Sequence, residues 1–163
     1  MTKRTFIGSA AAALGALFVG GCDRGEGAKE GPAETFEVTR SEEEWRRLLS
    51  PAQFAVLRES HTERSGSSPL NAEHRRGTFG CAGCALPVYR SEAKFESGTG
   101  WPSFTAPIEG AVRTKEDHGL FSVRTEVHCR RCGGHLGHVF DDGPPPAGKR
   151  YCMNGAAMNF VPA

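Results

Sequence analysis

The chain has 163 residues, 38% of them hydrophobic and 24% charged, with 20 Lys+Arg against 19 Asp+Glu and a formal net charge of +1. That length holds one ordinary globular domain and not two, and a balanced charge with basic pairs scattered among acids excludes a nucleic-acid footprint. The 21 Gly and 10 Pro exclude a helical bundle, because Gly weakens helix interiors and Pro breaks them; a turn-rich, mostly β (α+β) architecture is expected.

In chain order, Lys3 and Arg4 precede an apolar run over residues 6–21, too short for the roughly 20 residues of a spanning helix. Residues 1–21 read as an export signal. The run ends Val19-Gly20-Gly21-Cys22, and small residues just before a cysteine resemble the site at which bacterial lipoprotein signals are cut, which marks Cys22 for lipidation. The alternative is a soluble secreted chain with an incidental cysteine. Two acyl chains on Cys22 would anchor the mature protein on the periplasmic or extracytoplasmic face of a membrane, each buried methylene contributing about 0.8 kcal/mol. Lys3-Arg4 also resembles a twin-arginine export motif with lysine in the first position, and Asp23 resembles an inner-membrane retention signal. Residues 22–37 begin with a charged, Gly-rich stretch that cannot bury enough to offset its ordering entropy, so they are expected to be a flexible tether. The folded domain is then 38–163.

Ser41 with Glu44 three residues on predicts a capping box and a helix with Trp45, Leu48 and Leu49 on one face. Ser50, Pro51 and Gln53 predict a second helix with Phe54 and Leu57 inward. Past Gly77 short strands are expected. The clearest alternates Phe121, Val123, Thr125, Val127 and Cys129 with Ser122, Arg124, Glu126 and His128, which predicts one buried face. Gly98-Thr99-Gly100, Gly133-Gly134 and Asp142-Gly143-Pro144 mark turns.

The cysteines are the strongest chemical signal. Cys81-Ala82-Gly83-Cys84 and Cys129-Arg130-Arg131-Cys132 are two identical knuckles, each of which turns both sulfurs to one side. Together they supply the four thiolates of a tetrahedral zinc ion. Two local disulfides or a thioredoxin-like redox pair are the alternatives. The repeated spacing favours metal, and four thiolates leave no open position, so the zinc would be structural and a zinc-ribbon-like protein-binding domain is the rival function. Cys152 is left over, away from both knuckles. Taken alone it reads as either a catalytic thiol or a buried small hydrophobe, as His135 and His138 read as catalytic, packed or metal-binding.

Five blocks then carry a resemblance: S-P-L-N at Ser68, G-T-F-G-C-A-G-C at Gly77, K-F-E-S-G-T-G-W-P-S-F at Lys94, H-C-R-R-C-G-G-H-L-G-H-V-F-D-D-G-P at His128 and R-Y-C-M-N-G-A-A at Arg150. In this order they resemble the signature blocks of type B methionine sulfoxide reductases. The resemblance implies two antiparallel sheets with short N-terminal helices, clipped by zinc on Cys81, Cys84, Cys129 and Cys132. It implies reduction of the R epimer of methionine sulfoxide by Cys152, with Trp101, His135, His138, Arg150 and Asn154 around the substrate. Many such proteins carry a resolving cysteine between the two glycines of the third block, where this chain has Thr99, so an external thiol or thioredoxin-like reductant is expected.

The chemistry agrees with those residue types. Reducing a sulfoxide needs a soft nucleophile for sulfur and an acid for the departing oxygen, which a thiolate and an imidazole supply. His138 is the expected proton donor, with His135 orienting the oxygen. Asn154, two beyond Cys152, is expected to face the thiol's side and donate a hydrogen bond; Arg150 on that side supplies a cation. Trp101, otherwise a packing residue, offers a wall for the S-methyl group. With no heptad or large apolar stripe, a monomer is expected.

Overall fold

Two serines start the two helices. At α1, Glu42–Leu48, the Ser41 hydroxyl accepts the Glu44 N–H at 3.2 Å while the Glu44 carboxylate accepts the Ser41 N–H at 2.8 Å. Ser50 and Gln53 repeat the exchange at α2, Pro51–Glu59, at 3.3 and 3.0 Å. Each cap is worth about 1 kcal/mol, enough to set where such short helices begin. Trp45, Leu49, Phe54 and Leu57 are buried as expected, and so is Val56. Leu48, expected inward, is 58% exposed. The helix stops there, and Leu49 takes an extended conformation (φ −107°, ψ 146°) that turns its own side chain inward instead.

The computed structural model describes residues 34–118 and 122–163. The expected signal, Cys22, residues 22–33 of the tether and Phe121 lie outside the described residues. Residues 34–37 lie against the domain: the Phe36 ring meets His128 edge-on at 6.0 Å, Glu34 pairs with Arg113 at 3.2 Å, and Glu37 pairs with Arg130.

Nine strands follow among the described residues: β1 Gly77–Cys81, β2 Pro87–Arg90, β3 Lys94–Phe95, β4 Ser103–Phe104, β5 Val112–His118, β6 Val123–Cys129, β7 His135–Phe140, β8 Arg150–Met153 and β9 Met158–Pro162. They form two antiparallel sheets, one ordered β2-β1-β9 and one ordered β3-β4-β8-β7-β6-β5. This is the mostly β architecture with short N-terminal helices that the composition and the resemblance imply. Aromatic rings join the sheets: Tyr89 of β2 stacks on Phe104 of β4 at 4.3 Å, Phe79 of β1 meets Phe104 edge-on at 5.0 Å, and the Tyr89 hydroxyl donates to the Met153 sulfur at 3.1 Å.

The alternation expected along β6 fails. Val123 is 61% exposed, whereas Glu126, Val127, His128 and Cys129 are all buried. Only the stretch from Thr125 onward pairs with β7 as well as β5, so the first residues project as a two-stranded ribbon wet on both faces. Beyond Thr125 both faces are covered, and the face read as polar and exposed holds the buried Glu126 and His128.

A register shift between Val127 and His128 matters for the site. Histidines three apart in a regular strand point to opposite faces. The shift sets His138 opposite Glu126 and His135 opposite His128, so the two imidazoles meet with ring centroids 5.3 Å apart. Gly137 between them is required by closeness: a β-carbon there would sit 2.2 Å from the Cys152 carbonyl oxygen and 2.9 Å from the Met153 α-carbon. Both are backbone atoms that cannot yield without parting β7 from β8. We expect Gly137→Ala to destabilise the fold by about 1–3 kcal/mol, read from urea unfolding; an unchanged midpoint would contradict this strand contact.

Candidate active site

Cys152 sits on β8 between two neighbours, directly opposite Ser103 of β4 and His138 of β7. Directly opposed residues in an antiparallel pair point to the same face, so thiol and imidazole share one side of the sheet. They line a cleft of about 140 Å³ together with Thr62, Trp101, Arg124, Gly137, Phe140 and Asn154. That volume suits one side chain rather than a stretch of backbone. The Trp101 indole is fixed by its Nε1–H, which donates to the Glu63 carbonyl at 3.1 Å. Tight turning before it depends on Gly100, whose φ is 89° and whose α-carbon faces the Ser65 hydroxyl so closely that a β-carbon would lie 2.1 Å from it. Thr99, one residue earlier, brings its Oγ1 to 3.9 Å from the Cys152 sulfur and continues through Ser97 at 2.8 Å to Ser103 at 2.7 Å.

His138 is held by an acid the sequence reading missed. Its Nε2 lies 2.8 Å from Asp117 Oδ2 on β5, and Asp117 is itself paired with Arg124 at 2.7 Å. Burial pushes the His138 pKa below its ordinary value; the hydrogen bond to Asp117 opposes this, and the charges of Arg124 and His135 add to the lowering. Asp117 is held below the usual carboxylate range by His138 and Arg124. Nothing local in the sequence marks this contact: Asp117 faces Arg124 through the β5–β6 register and meets His138 beyond it.

His135 is behind His138 rather than in the cleft lining. It is buried, its Nδ1 lies 3.1 Å from Glu126 Oε1, and neither ring nitrogen has a well-aligned hydrogen-bond partner among the described residues. Burial pushes the Glu126 carboxyl up, but His135 and Lys115, the latter at 3.3 Å, bring it below its ordinary value. Arg150 does not reach the cleft lining. Its guanidinium is engaged by both oxygens of Asp142 at 2.8 and 2.7 Å and lies 4.5 Å from the Phe140 ring centre, and its pKa is raised first by Asp142 and less by Cys152. Asn154 lies one residue past the end of β8, not within it, and opens a short 3-10 turn. Its side chain still reaches the cleft.

The knuckles form a second centre. The sulfurs of Cys81, Cys84, Cys129 and Cys132 all lie within 4.8 Å of one another, with Cys81–Cys132 at 3.6 Å and Cys84–Cys129 at 3.5 Å. All four are free thiols, not disulfides. A tetrahedral zinc with bonds near 2.3 Å needs neighbouring sulfurs about 3.8 Å apart. The quartet therefore fits the ion. With four sulfur ligands the metal would have no site for substrate, and its role would be to tie the β1–β2 turn to the β6–β7 turn. Trp45 of α1 packs over Gly83, and Arg58 of α2 donates to the Cys132 carbonyl at 3.0 Å, so both helices cover this centre.

A half-buried thiol facing a carboxylate-held imidazole, with an indole wall beside them and a separate four-cysteine cluster that could hold a metal ion, places the molecule among thiol oxidoreductases. Comparisons with known proteins narrow the class. A family model described as the SelR domain matches residues 49–162. The chain is 55% identical over 129 residues to the peptide methionine sulfoxide reductase MsrB of Bradyrhizobium diazoefficiens, covering 77% of this chain and 91% of that one. Proteins of the same name from Methanosarcina barkeri and Pseudomonas putida are 52% and 48% identical, covering 76% and 77% of this chain and 87% and 96% of theirs. The chain belongs to the SelR/MsrB family. The rival reading as a non-enzymatic zinc-ribbon-like domain is not favoured, because it gives no task to Cys152 or its cleft.

Proposed function

We propose that this protein reduces the R epimer of methionine sulfoxide in peptides and proteins to methionine, with Cys152 as nucleophile. The carrying observation is the placement of Cys152 directly opposite His138 in a cleft the size of one side chain, walled by Trp101. The Cys152 thiolate attacks the sulfoxide sulfur while His138 delivers a proton to the oxygen. Attack forms a bond between the Cys152 sulfur and the substrate sulfur; the S–O bond and then this S–S bond break as the protonated oxygen passes to Cys152. The substrate sulfur gains two electrons and leaves as the thioether of methionine, while Cys152 loses two and remains as a sulfenic acid. Three fixed points select one epimer: the methyl group on Trp101, the oxygen toward His138 and Asn154, and the remaining face of sulfur toward Cys152. His135 packs on the His138 ring and limits its rotation. Arg150, closed by Asp142, contributes charge beside the thiol rather than a direct substrate contact. Incubation with a peptide carrying both epimers and dithiothreitol should consume the R form alone, and Cys152→Ser should reduce turnover to background. Consumption of the S form at equal rate would refute the assignment.

The lowered His138 pKa sets a pH dependence. An acid donor must be protonated, so turnover should fall as pH rises through the His138 pKa, which lies below the ordinary value of the side chain. Asp117 favours the protonated ring, so Asp117→Asn should move this fall to lower pH and reduce kcat at neutral pH by about tenfold or more. A pH–kcat profile that does not move would remove Asp117 from the mechanism.

We further propose that the enzyme acts as a monomer outside the cytoplasm, lipidated at Cys22 after removal of residues 1–21, the motif of the signal being the support. Replacing Cys22 with Ala should shift the protein from the membrane to the soluble fraction regardless of salt, because acyl burial and not charge would hold it. Equal membrane retention of the variant would end the lipid proposal.

A further inference from the structure

We propose that Glu63 is a positioning residue that sets Trp101 and Asn154 as one unit and thereby makes the cleft present a hydrogen-bond donor to the substrate oxygen. This rests on the sulfoxide occupying the Cys152 cleft. Glu63 lies in the irregular connection that follows α2 and does not itself line the cleft. Its backbone groups are nevertheless used on two residues that do, and its carboxylate on the turn that follows one of them. Its backbone N–H donates to Asn154 Oδ1 at 3.0 Å, and its carbonyl accepts the Trp101 Nε1–H at 3.1 Å. Its carboxylate accepts the Gly155 N–H and, at 2.9 Å, the Ala156 N–H, which fastens the turn immediately after Asn154. One side chain thus holds down the backbone whose own N–H and C=O orient two cleft residues far apart in sequence.

The consequence for Asn154 follows from counting donors and acceptors. The amide has one oxygen and two N–H groups. The oxygen meets the Glu63 N–H, and one N–H meets the Leu136 carbonyl at 3.2 Å. Reversing the amide would set N–H against N–H at Glu63 and oxygen against oxygen at Leu136, both inside a buried residue where an unmade bond costs most. Beside the second lone pair of its oxygen, Asn154 in this fixed orientation keeps one N–H to offer a ligand as a donor. A sulfoxide oxygen is a strong acceptor, whereas a thioether sulfur is a weak one. The donor thus favours substrate over product, and the Trp101 wall held by the same residue aligns the methyl group.

Steady-state kinetics of Glu63→Ala and Glu63→Gln with an R-sulfoxide peptide, inhibition by the reduced peptide, and the rate of Cys152 alkylation by iodoacetamide test this. In Glu63→Ala, KM should rise about tenfold, and the preference for sulfoxide over reduced peptide, read as the inhibition constant divided by KM, should fall by a similar factor. Glu63→Gln keeps one acceptor and should lie between. The alkylation rate should stay within about twofold of wild type in both, since Glu63 does not touch the thiol. If Glu63→Ala fails to unfold cooperatively, Glu63→Gln decides alone. A folded variant with wild-type KM and preference overturns the proposal, as does a change in alkylation that parallels KM, which would mark a general loosening. Wild-type protein inactive on R-sulfoxide would instead overturn the placement of substrate in this cleft.

Discussion

Replacing Cys84 with Ser should leave little folded protein at physiological temperature. A structural zinc site contributes about 10–16 kcal/mol of apparent binding energy in small metal-dependent domains, against a total stability of about 5–15 kcal/mol for an ordinary domain. The quartet joins turns from two different sheets, and both α1 and α2 rest on it through Trp45 and Arg58, so loss of one ligand is felt across the fold. Thermal unfolding with and without a strong chelator measures the effect. We expect a large fall in Tm for the chelated and the Cys84→Ser proteins, with metal released in a ratio of about one zinc per chain. A metal-free protein with unchanged Tm and activity would show that the four thiols merely pack together.

The second large effect concerns how the enzyme is reset. Cys81, Cys84, Cys129 and Cys132 form the quartet and Cys152 lies in the cleft, which leaves Cys22 at the proposed lipid site and no thiol to resolve a sulfenic acid. We therefore expect an external thiol to act: it would condense with the Cys152 sulfenic acid, releasing water and forming a mixed disulfide, and a second thiol would free Cys152. The position at which relatives of this type are expected to carry a resolving cysteine holds Thr99, whose Oγ1 lies 3.9 Å from the Cys152 sulfur. A sulfur placed there must close by about 2 Å to form a bond near 2.05 Å. The flanking Gly98 and Gly100, with φ of 74° and 89°, add no side chains of their own, while Ser65 donates to the Thr99 carbonyl at 2.9 Å and Gly66 to the Gly100 carbonyl at 2.8 Å, so the closing movement falls mainly to the side chains of 99 and 152. Thr99→Cys should therefore convert the single-turnover product from a dimedone-reactive sulfenic acid to an internal disulfide with Cys152, detected by peptide mapping. A sulfenic acid that persists in this variant would show that the turn cannot bring position 99 to the catalytic sulfur.

The legible parts of this protein are those in which local chemistry decides. Ser41 and Ser50 cap helices because their hydroxyls and the residues three further on satisfy each other without outside help. The knuckles repeat a spacing that only a shared centre explains, and their sulfurs do converge. Cys152, His138, Trp101 and Asn154 were likewise named from the sequence, and the structure brings them around one cleft. What escaped depends on pairing between strands. The polar face of β6 is buried because His135 and the segment at Glu34 and Phe36 cover it, which no period within residues 123–129 encodes. His135 and His138 share a face only through the register shift at Val127. Asp117 on β5 reaches His138 on β7 across the intervening β6, and Glu63 reaches Asn154 across 91 residues of chain.

The most direct measurement is a single turnover without reductant, using wild-type protein and excess R-sulfoxide peptide, followed by quantitation of methionine and intact-mass analysis. The expected result is one methionine per chain and a gain of one oxygen, mapped to Cys152 by dimedone, with no new disulfide. Methionine formed by Cys152→Ser, or a disulfide joining Cys152 to Cys81, Cys84, Cys129 or Cys132 in the native wild-type protein, would contradict a mechanism in which Cys152 alone carries the chemistry.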